Sequence, residues 1–314
     1  MIGIFHPECD TVRRCLAAAV PDDRLRTCKS EARLPALLAE VDVLLAARFR
    51  GRHFPREEIL RGPRLQWLHL ASAGVDYMLP LPKDSPLVTS SAGLHGPVIA
   101  DYVMAVVLEW WWGLARLRDA QRQRRWAYRP SATLQDRTMG VLGLGHVGTE
   151  VAVRARAFGM RTIGTRRSGL PVAGVDKVFA PEDTHEVLAA SDVLVVALPL
   201  TGRTRGLLDA AALARIRRDG YLIAVSRGGI VDEAALVAAL AEGRLAGAAL
   251  DVFAEEPPSP ASPLWTAPNL IITPHISGAL KDSAAGVARL FLDNLSRWTR
   301  GQPLLNLVDR EAGY

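Results

Sequence analysis

The chain has 314 residues, 49% of them hydrophobic, with mean hydropathy +0.11, enough for two domains of ordinary size, or one large one, with a sizeable core. Its formal net charge of +5 and pI near 9.4 raise a nucleic-acid reading, which the pattern argues against. Lysine occurs only at positions 29, 83, 177 and 281, the arginines are scattered rather than striped, and no nucleic-acid module is visible.

This arginine and alanine richness is more economically a codon bias of the whole sequence. The densest basic cluster (Arg116, Arg118, Arg122, Arg124 and Arg125) reads as the solvated face of a helix end. Cys9, Cys15 and Cys28 have no zinc-ligand spacing and an odd count, so no metal site or disulfide framework is expected. They suit free thiols in a reducing, cytoplasmic setting. The chain opens on a strand-like Ile2-Gly3-Ile4-Phe5 with no signal-peptide pattern.

In chain order, residues 1 to about 96 alternate short apolar runs with helical ones. Ile2–Phe5, Val41–Ala46, Trp67–Leu70 and Leu87–Thr89 are predicted strands; Val12–Ala19, Leu34–Ala39 and Glu57–Leu60 are predicted helices. Such alternation specifies a parallel sheet covered on both faces. A long helix is predicted from Pro97 to about Trp126, with proline in its first turn and Asp101 near its positive end. Its most apolar part, Val98–Leu117, is interrupted by Asp101 and Glu109 and reads as a buried helix, not a membrane span. Trp110, Trp111 and Trp112 cannot share one face, so some should pack across an interface.

From Thr138 the alternation resumes with strands at Met139–Leu142, Arg161–Gly164, Lys177–Phe179, Val193–Ala197, Tyr221–Val225, Gly247–Leu250 and Leu270–Ile272, and a final helix at Ala284–Arg300. The first of these strands runs into Gly143-x-Gly145-x-x-Gly148 and then a helical stretch. In a dinucleotide-binding unit the first glycine makes the turn, the second admits the pyrophosphate, and the third lets helix and strand pack closely. A dinucleotide should therefore lie over Gly143, Gly145, His146, Val147 and Gly148.

An NAD site places an acidic residue at the end of the second strand, roughly 20 residues past the glycines. This strand ends instead in Thr165-Arg166-Arg167-Ser168, with no acid between Glu150 and Asp176. Paired arginines with flanking hydroxyls suit a 2′-phosphate, so NADP(H) is the expected cofactor, with NAD(H) as the lesser alternative.

Three ionisable residues follow later strands: Arg227, Glu256 and His275. Together they form the set that reduction of a keto acid needs. The arginine pairs with the substrate carboxylate and polarises the carbonyl, and the histidine donates a proton to the carbonyl oxygen. The carboxylate orients the imidazole and favours its protonated form.

On these residues the chain resembles the D-isomer-specific 2-hydroxyacid dehydrogenases, of the glyoxylate/hydroxypyruvate reductase type, over nearly its whole length. The most specific stretches are Ala197-Leu198-Pro199-Leu200-Thr201, Ser226-Arg227-Gly228-Gly229-Ile230-Val231-Asp232, Asp251-Val252-Phe253 and Thr273-Pro274-His275-Ile276-Ser277-Gly278. The resemblance implies an α/β fold of two Rossmann/flavodoxin-like doubly wound parallel-sheet domains with an interdomain cleft. Residues 1–97 plus 286–314 would form the substrate domain, and 98–285 the dinucleotide-binding domain and homodimer interface. It assigns Arg227, Glu256 and His275 as catalytic and gives Arg227 the substrate carboxylate, together with the N–H groups of Ala73 and Gly74. Leu198, Pro199 and Thr204 would line the adenosine and pyrophosphate, while Asp251, Ser277 and Gly278 would lie at the nicotinamide.

Departures from the family pattern are Ala224 where asparagine is frequent, Asp101 where glutamate is common, and His146 where arginine often stands. His69 and His95 flank the implied cleft and are candidates for substrate selection. The expected partner is a small 2-keto or 2-hydroxy acid, with no nucleic acid and no membrane. The competing readings are a phosphoglycerate dehydrogenase, disfavoured by the lack of a regulatory domain after residue 314, and a nucleotide-sensing corepressor on the same fold.

Overall fold

Apolar runs bounded by turn residues become strands, and the strands gather in two separate parallel sheets. The computed structural model describes residues 1–49 and 51–314. The chain divides into two units, residues 1–94 with 280–314, and residues 95–279. These boundaries fall three residues before the expected 97 and six before the expected 286.

The first unit runs β1 (Ile2–Phe5), α1 (Cys9–Ala17), β2 (Leu25–Cys28), α2 (Leu34–Glu40), β3 (Val43–Ala46), α3 (Arg56–Leu60), β4 (Trp67–Leu70) and β5 (Leu87–Ser90). The sheet order is β2-β1-β3-β4-β5, all parallel. Successive side chains leave opposite faces. Ile2, Ile4, Val43, Leu45 and Trp67 therefore join one core cluster, and Phe5, Leu44, Ala46, Leu68 and Leu70 the other. The C-terminal helix Ser283–Thr299 returns to cover the first face with Ala284, Val287, Ala288 and Phe291, a helical stripe. The Phe291 ring stacks on Trp67 at 5.0 Å. The tail then runs along β5, where the Val308 N–H donates to the Val88 carbonyl (2.8 Å) and the Ser90 N–H to the Asn306 carbonyl (3.0 Å).

The second unit begins with α4 (Gly96–Trp112) and α5 (Leu114–Arg122), followed by β6 (Thr138–Leu142), α6 (His146–Ala157), β7 (Arg161–Thr165), β8 (Lys177–Phe179) and α7 (Thr184–Ala190). It continues with β9 (Val193–Val196), α8 (Ala210–Leu213), β10 (Tyr221–Ala224), α9 (Glu233–Ala241), β11 (Gly247–Leu250) and β12 (Leu270–Ile272); the C-terminal helix is α10. The order is β12-β11-β10-β9-β6-β7-β8, again all parallel. The connection reverses between β6 and β9, so the crevice beyond their carboxyl ends is the topological switch point where such sheets bind nucleotides. Burial alternates here as well. Leu194, Val196, Leu222 and Leu250 join one core, and Val193, Val195, Ile223 and Ala249 join another with α4 and α6.

Two elements differ from expectation. β2 was not anticipated. Leu25-Arg26-Thr27-Cys28 is a half-polar edge strand with too weak an apolar run to signal itself. The predicted single helix from Pro97 to about Trp126 is two helices, bent by 58° at Gly113, whose φ of +62° is a left-handed conformation that glycine takes at little cost. The Arg116, Arg118, Arg122, Arg124 and Arg125 cluster is exposed on and just after α5. Among the described residues no single helix is long and apolar enough to cross a membrane.

Candidate active site

The glycine turn lies at the switch point. Gly143 has φ +98°, and a Cβ there would stand 2.9 Å from the Ala197 carbonyl oxygen at the end of the neighbouring β9. At Gly148 a Cβ would meet the Gly143 carbonyl oxygen at 2.2 Å, so helix α6 packs on the turn at backbone distance. Nothing lies within 4 Å of a Cβ at Gly145; this glycine faces open space. The first intrahelical bond of α6 is Thr149 N–H to Gly145 O, which leaves the amides of His146, Val147 and Gly148 at the helix N-terminus without an intrahelical acceptor. An open glycine beside three outward amides at a positive helix end is a cradle for phosphate, and a dinucleotide pyrophosphate fits it.

At the end of β7, Arg166 and Arg167 are both exposed. The only nearby acid in sequence, Asp176, belongs to the other end of that strand. It accepts from the Thr162 N–H (2.7 Å) and from Arg156 Nη1 (2.5 Å). Those bonds, led by the one from the Thr162 backbone, hold its carboxyl below the usual carboxylate range. No acidic residue stands in sequence between Glu150 and Asp176.

The catalytic candidates follow β10, β11 and β12, which are adjacent in the sheet. Arg227 comes three residues past β10, and its Nη1 donates to the Ser226 carbonyl (2.8 Å). At Gly228 a Cβ would fall 1.8 Å from the Phe253 carbonyl oxygen, so the arginine loop lies backbone to backbone on the loop that carries Glu256. Glu256 accepts from the Phe253 N–H (3.1 Å) through Oε1 and meets His275 Nδ1 (2.8 Å) through Oε2. An ionised carboxylate only accepts, so Nδ1 carries the proton and Nε2 is left for a reacting oxygen. His275 has φ +53°, a left-handed conformation rare for a side-chain-bearing residue and found where surrounding contacts enforce it.

A parallel sheet with a nucleotide cradle at its switch point and an Arg–Glu–His set beyond three adjacent strands suggests a known enzyme class, and comparison decides it. Residues 104–277 match the model of the D-isomer specific 2-hydroxyacid dehydrogenase NAD binding domain. The chain belongs to the D-isomer specific 2-hydroxyacid dehydrogenase family. It is 31% identical to glyoxylate/hydroxypyruvate reductase A of Salmonella enteritidis PT4 over 100% of this chain and 99% of that one. A D-isomer specific 2-hydroxyacid dehydrogenase from Xanthobacter autotrophicus Py2, solved with NADPH and MES, superposes with a TM-score of 0.87 at 32% identity, covering 100% of this chain and 99% of the other. The NADPH-dependent glyoxylate/hydroxypyruvate reductase of Sinorhizobium meliloti, solved with NADP and sulfate, gives 0.85 at 27% identity, with 100% and 99% coverage. The protein is thus an NAD(P)-dependent 2-hydroxyacid dehydrogenase with the two parallel-sheet units of its family.

Three residues assigned to this dehydrogenase's cofactor site, Thr165, Asp251 and Ser277, are buried. Thr165 is 3% exposed; its hydroxyl accepts from the Gly143 N–H (3.2 Å) and its carbonyl from the Leu144 N–H (2.8 Å), so it supports the glycine turn from below. Asp251 is fully buried. Its Oδ1 accepts from Thr273 Oγ1 (2.6 Å) and the Ile276 N–H (2.9 Å), and its Oδ2 from the Ser277 N–H (2.9 Å). Ser277 is 3% exposed. Asp251 and Ser277 thus shape the histidine turn, and Gly278 is half-buried at the end of that turn. Leu198 and Pro199 are half-buried after β9, and the Thr204 hydroxyl closes their loop by donating to the Pro199 carbonyl (2.6 Å) and accepting from the Thr201 N–H (2.8 Å).

In the first unit, Ala73 and Gly74 stand in the turn after β4. Neither N–H has a backbone acceptor among the described residues. The turn is braced by the Ser72 hydroxyl, 2.9 Å from the Gly74 carbonyl and 2.7 Å from the Tyr77 hydroxyl, and Arg48 stacks over the Tyr77 ring at 5.0 Å. Arg48 and Tyr77 were not anticipated, because an arginine after one strand and a tyrosine in a short helical turn carry no joint signal in sequence.

His69 is fully buried in a polar chain that fixes every proton. Ser91 Oγ donates to the Leu70 carbonyl (2.9 Å), so it accepts from His69 Nε2 (3.2 Å); Thr89 Oγ1 accepts from Trp67 Nε1 (2.8 Å) and donates to His69 Nδ1 (2.8 Å). Burial lowers its pKa to about 4. His95 precedes α4, half-buried beside the Gly278 backbone, with its pKa lowered by burial and partly restored by that contact.

Proposed function

We propose that the protein reduces a small 2-keto acid of the glyoxylate or hydroxypyruvate type to the D-2-hydroxy acid, with NADPH as hydride donor. The observation that carries this is the Glu256–His275 pair at 2.8 Å, with Nε2 directed away from the carboxylate, in the same strand-end cluster as Arg227. The bound nicotinamide supplies the hydride. Arg227 pairs with the substrate carboxylate and polarises the adjacent carbonyl. His275 Nε2–H donates a proton to the carbonyl oxygen, and Glu256 keeps the imidazole oriented and balances its charge.

NADPH is favoured over NADH by Arg166 and Arg167 at the end of β7, with no acid in sequence between Glu150 and Asp176. The X. autotrophicus dehydrogenase and the S. meliloti reductase, solved with NADPH and NADP, are in keeping with this. The dehydrogenase is further read as a homodimer formed through the nucleotide-binding unit.

The test is to mix the protein with NADPH and, in turn, glyoxylate, hydroxypyruvate, pyruvate and phenylpyruvate while following nicotinamide absorbance. Turnover with the smaller acids, abolished in His275→Ala while NADPH binding is retained, is the expected result. NADPH binding with no turnover of any acid would instead favour a nucleotide-sensing protein.

A further inference from the structure

The turn that carries His275 is held by a polar chain that begins on a distant helix. Asp251, fully buried, takes three donors on two oxygens, and two of them are the amides immediately after His275. The third is the Thr273 hydroxyl. That hydroxyl spends its proton on Asp251, so it can only accept from the Tyr102 hydroxyl, 2.7 Å away on α4. Burial pushes the Tyr102 phenol up to about 12, so it remains a donor at neutral pH. A threonine hydroxyl rotates freely unless both its proton and a lone pair are engaged. Tyr102 engages the lone pair and so aims the proton at Asp251.

We propose that Tyr102 is a positioning residue for catalysis, holding the His275 turn in its left-handed conformation through Thr273, Asp251 and the Ile276 and Ser277 amides. This rests on the reading of His275 as the proton donor. The chain serves the reaction because His275 must place Nε2 on the carbonyl oxygen while Nδ1 stays on Glu256, and proton transfer is sensitive to sub-ångström displacement. Tyr102 and Thr273 lie 171 residues apart.

The experiment compares Tyr102→Phe, Thr273→Val, the double variant and Thr273→Ser by steady-state kinetics and amide hydrogen exchange. In Tyr102→Phe, kcat should fall about five- to tenfold, the effect of one hydrogen bond, with the KM for NADPH and for the keto acid within about twofold of wild type. Exchange at Ile276 and Ser277 should quicken by a similar factor, with the β10 amides Leu222 and Ile223 unchanged. The double variant should lose no more than Thr273→Val alone, and Thr273→Ser should recover most of the kcat that valine loses. Unchanged exchange at Ile276 and Ser277, or losses that multiply in the double variant, would overturn the relay. If the wild-type protein reduces no 2-keto acid, the reading of its function falls, while the exchange comparison still decides the relay.

Discussion

At the scale of single residues, Glu256 and Arg166 make the sharpest claims. Glu256 binds His275 and the Phe253 amide through different oxygens, so Glu256→Gln keeps the shape of the site and removes its charge. That change should lower kcat by about 10²-fold or more, the range of general acid catalysis, with little change in the KM for NADPH. A kcat within a few-fold of wild type would mean that the pair only orients the ring. Arg166 is exposed at the carboxyl end of β7. Arg166→Asp should cut kcat/KM with NADPH by about 10- to 100-fold, the loss of a charge-assisted bond, and raise it with NADH. Equal losses with both cofactors would show that Arg166 does not read the 2′-phosphate.

At the scale of elements, the glycines separate folding from binding. Gly145 has nothing within 4 Å of its absent Cβ, whereas Gly148 and Gly228 have carbonyl oxygens at 2.2 and 1.8 Å. Gly145→Ala should therefore melt close to wild type yet bind NADPH weakly. Gly148→Ala and Gly228→Ala should each lose about 1–3 kcal/mol or more, since backbone cannot yield as a side chain does. Thermal melts paired with NADPH titrations check this, and a destabilised Gly145→Ala would contradict it. The turn at Gly143 and the close packing at Gly148 were legible in sequence because each follows from the chain's local path. So was the placement of Arg227, Glu256 and His275 just past three apolar strands. What was not legible depends on contacts distant in sequence. Tyr102 and Thr273 meet only after the sheet is assembled, and Asp251 gave no sign that its carboxylate would hold the histidine turn. The break at Gly113 was missed because apolar and arginine-rich helix formers continue on both sides of one glycine.

The buried histidines of the first unit set a pH limit for that unit. His69 and His6 have pKa values lowered to about 4 by burial, and His6 Nδ1 accepts from the Glu8 N–H (2.9 Å). The unfolded chain binds protons on both near pH 6.5 while the folded unit stays neutral. Their contribution is therefore complete above pH 6.5 and is lost as the pH falls toward 4, on the order of 1.4 kcal/mol per pH unit for each group within that window. His69→Gln keeps a donor for Ser91 and an acceptor for Thr89 without titrating. Urea unfolding at pH 7 and pH 5 should show a smaller acid loss in this variant than in wild type, and an equal loss would place the acid sensitivity elsewhere.

At the scale of the whole molecule, the alternation of strand and helix fixed two parallel sheets from sequence, while the surface needed side-chain exposure. The three consecutive tryptophans take three environments. Trp110 stacks on Tyr221 at 4.8 Å inside the second unit, Trp111 donates to the Ala132 carbonyl (2.7 Å), and Trp112 is left 52% exposed. Beside Trp112 along the chain, Leu114, Leu117, Trp126 and Tyr128 are also exposed, the last two at 94% and 85%. A water-facing run of five large apolar side chains on and after α4 and α5 is costly in a monomer and suits a self-complementary two-fold contact. The protein should sediment as a dimer at micromolar concentration. Leu117→Arg combined with Trp126→Ala should shift it toward monomer without disturbing the sheet that carries the glycine turn. A dimer that survives both changes would move the interface away from this face, and a wild-type monomer at every concentration would remove the dimer altogether.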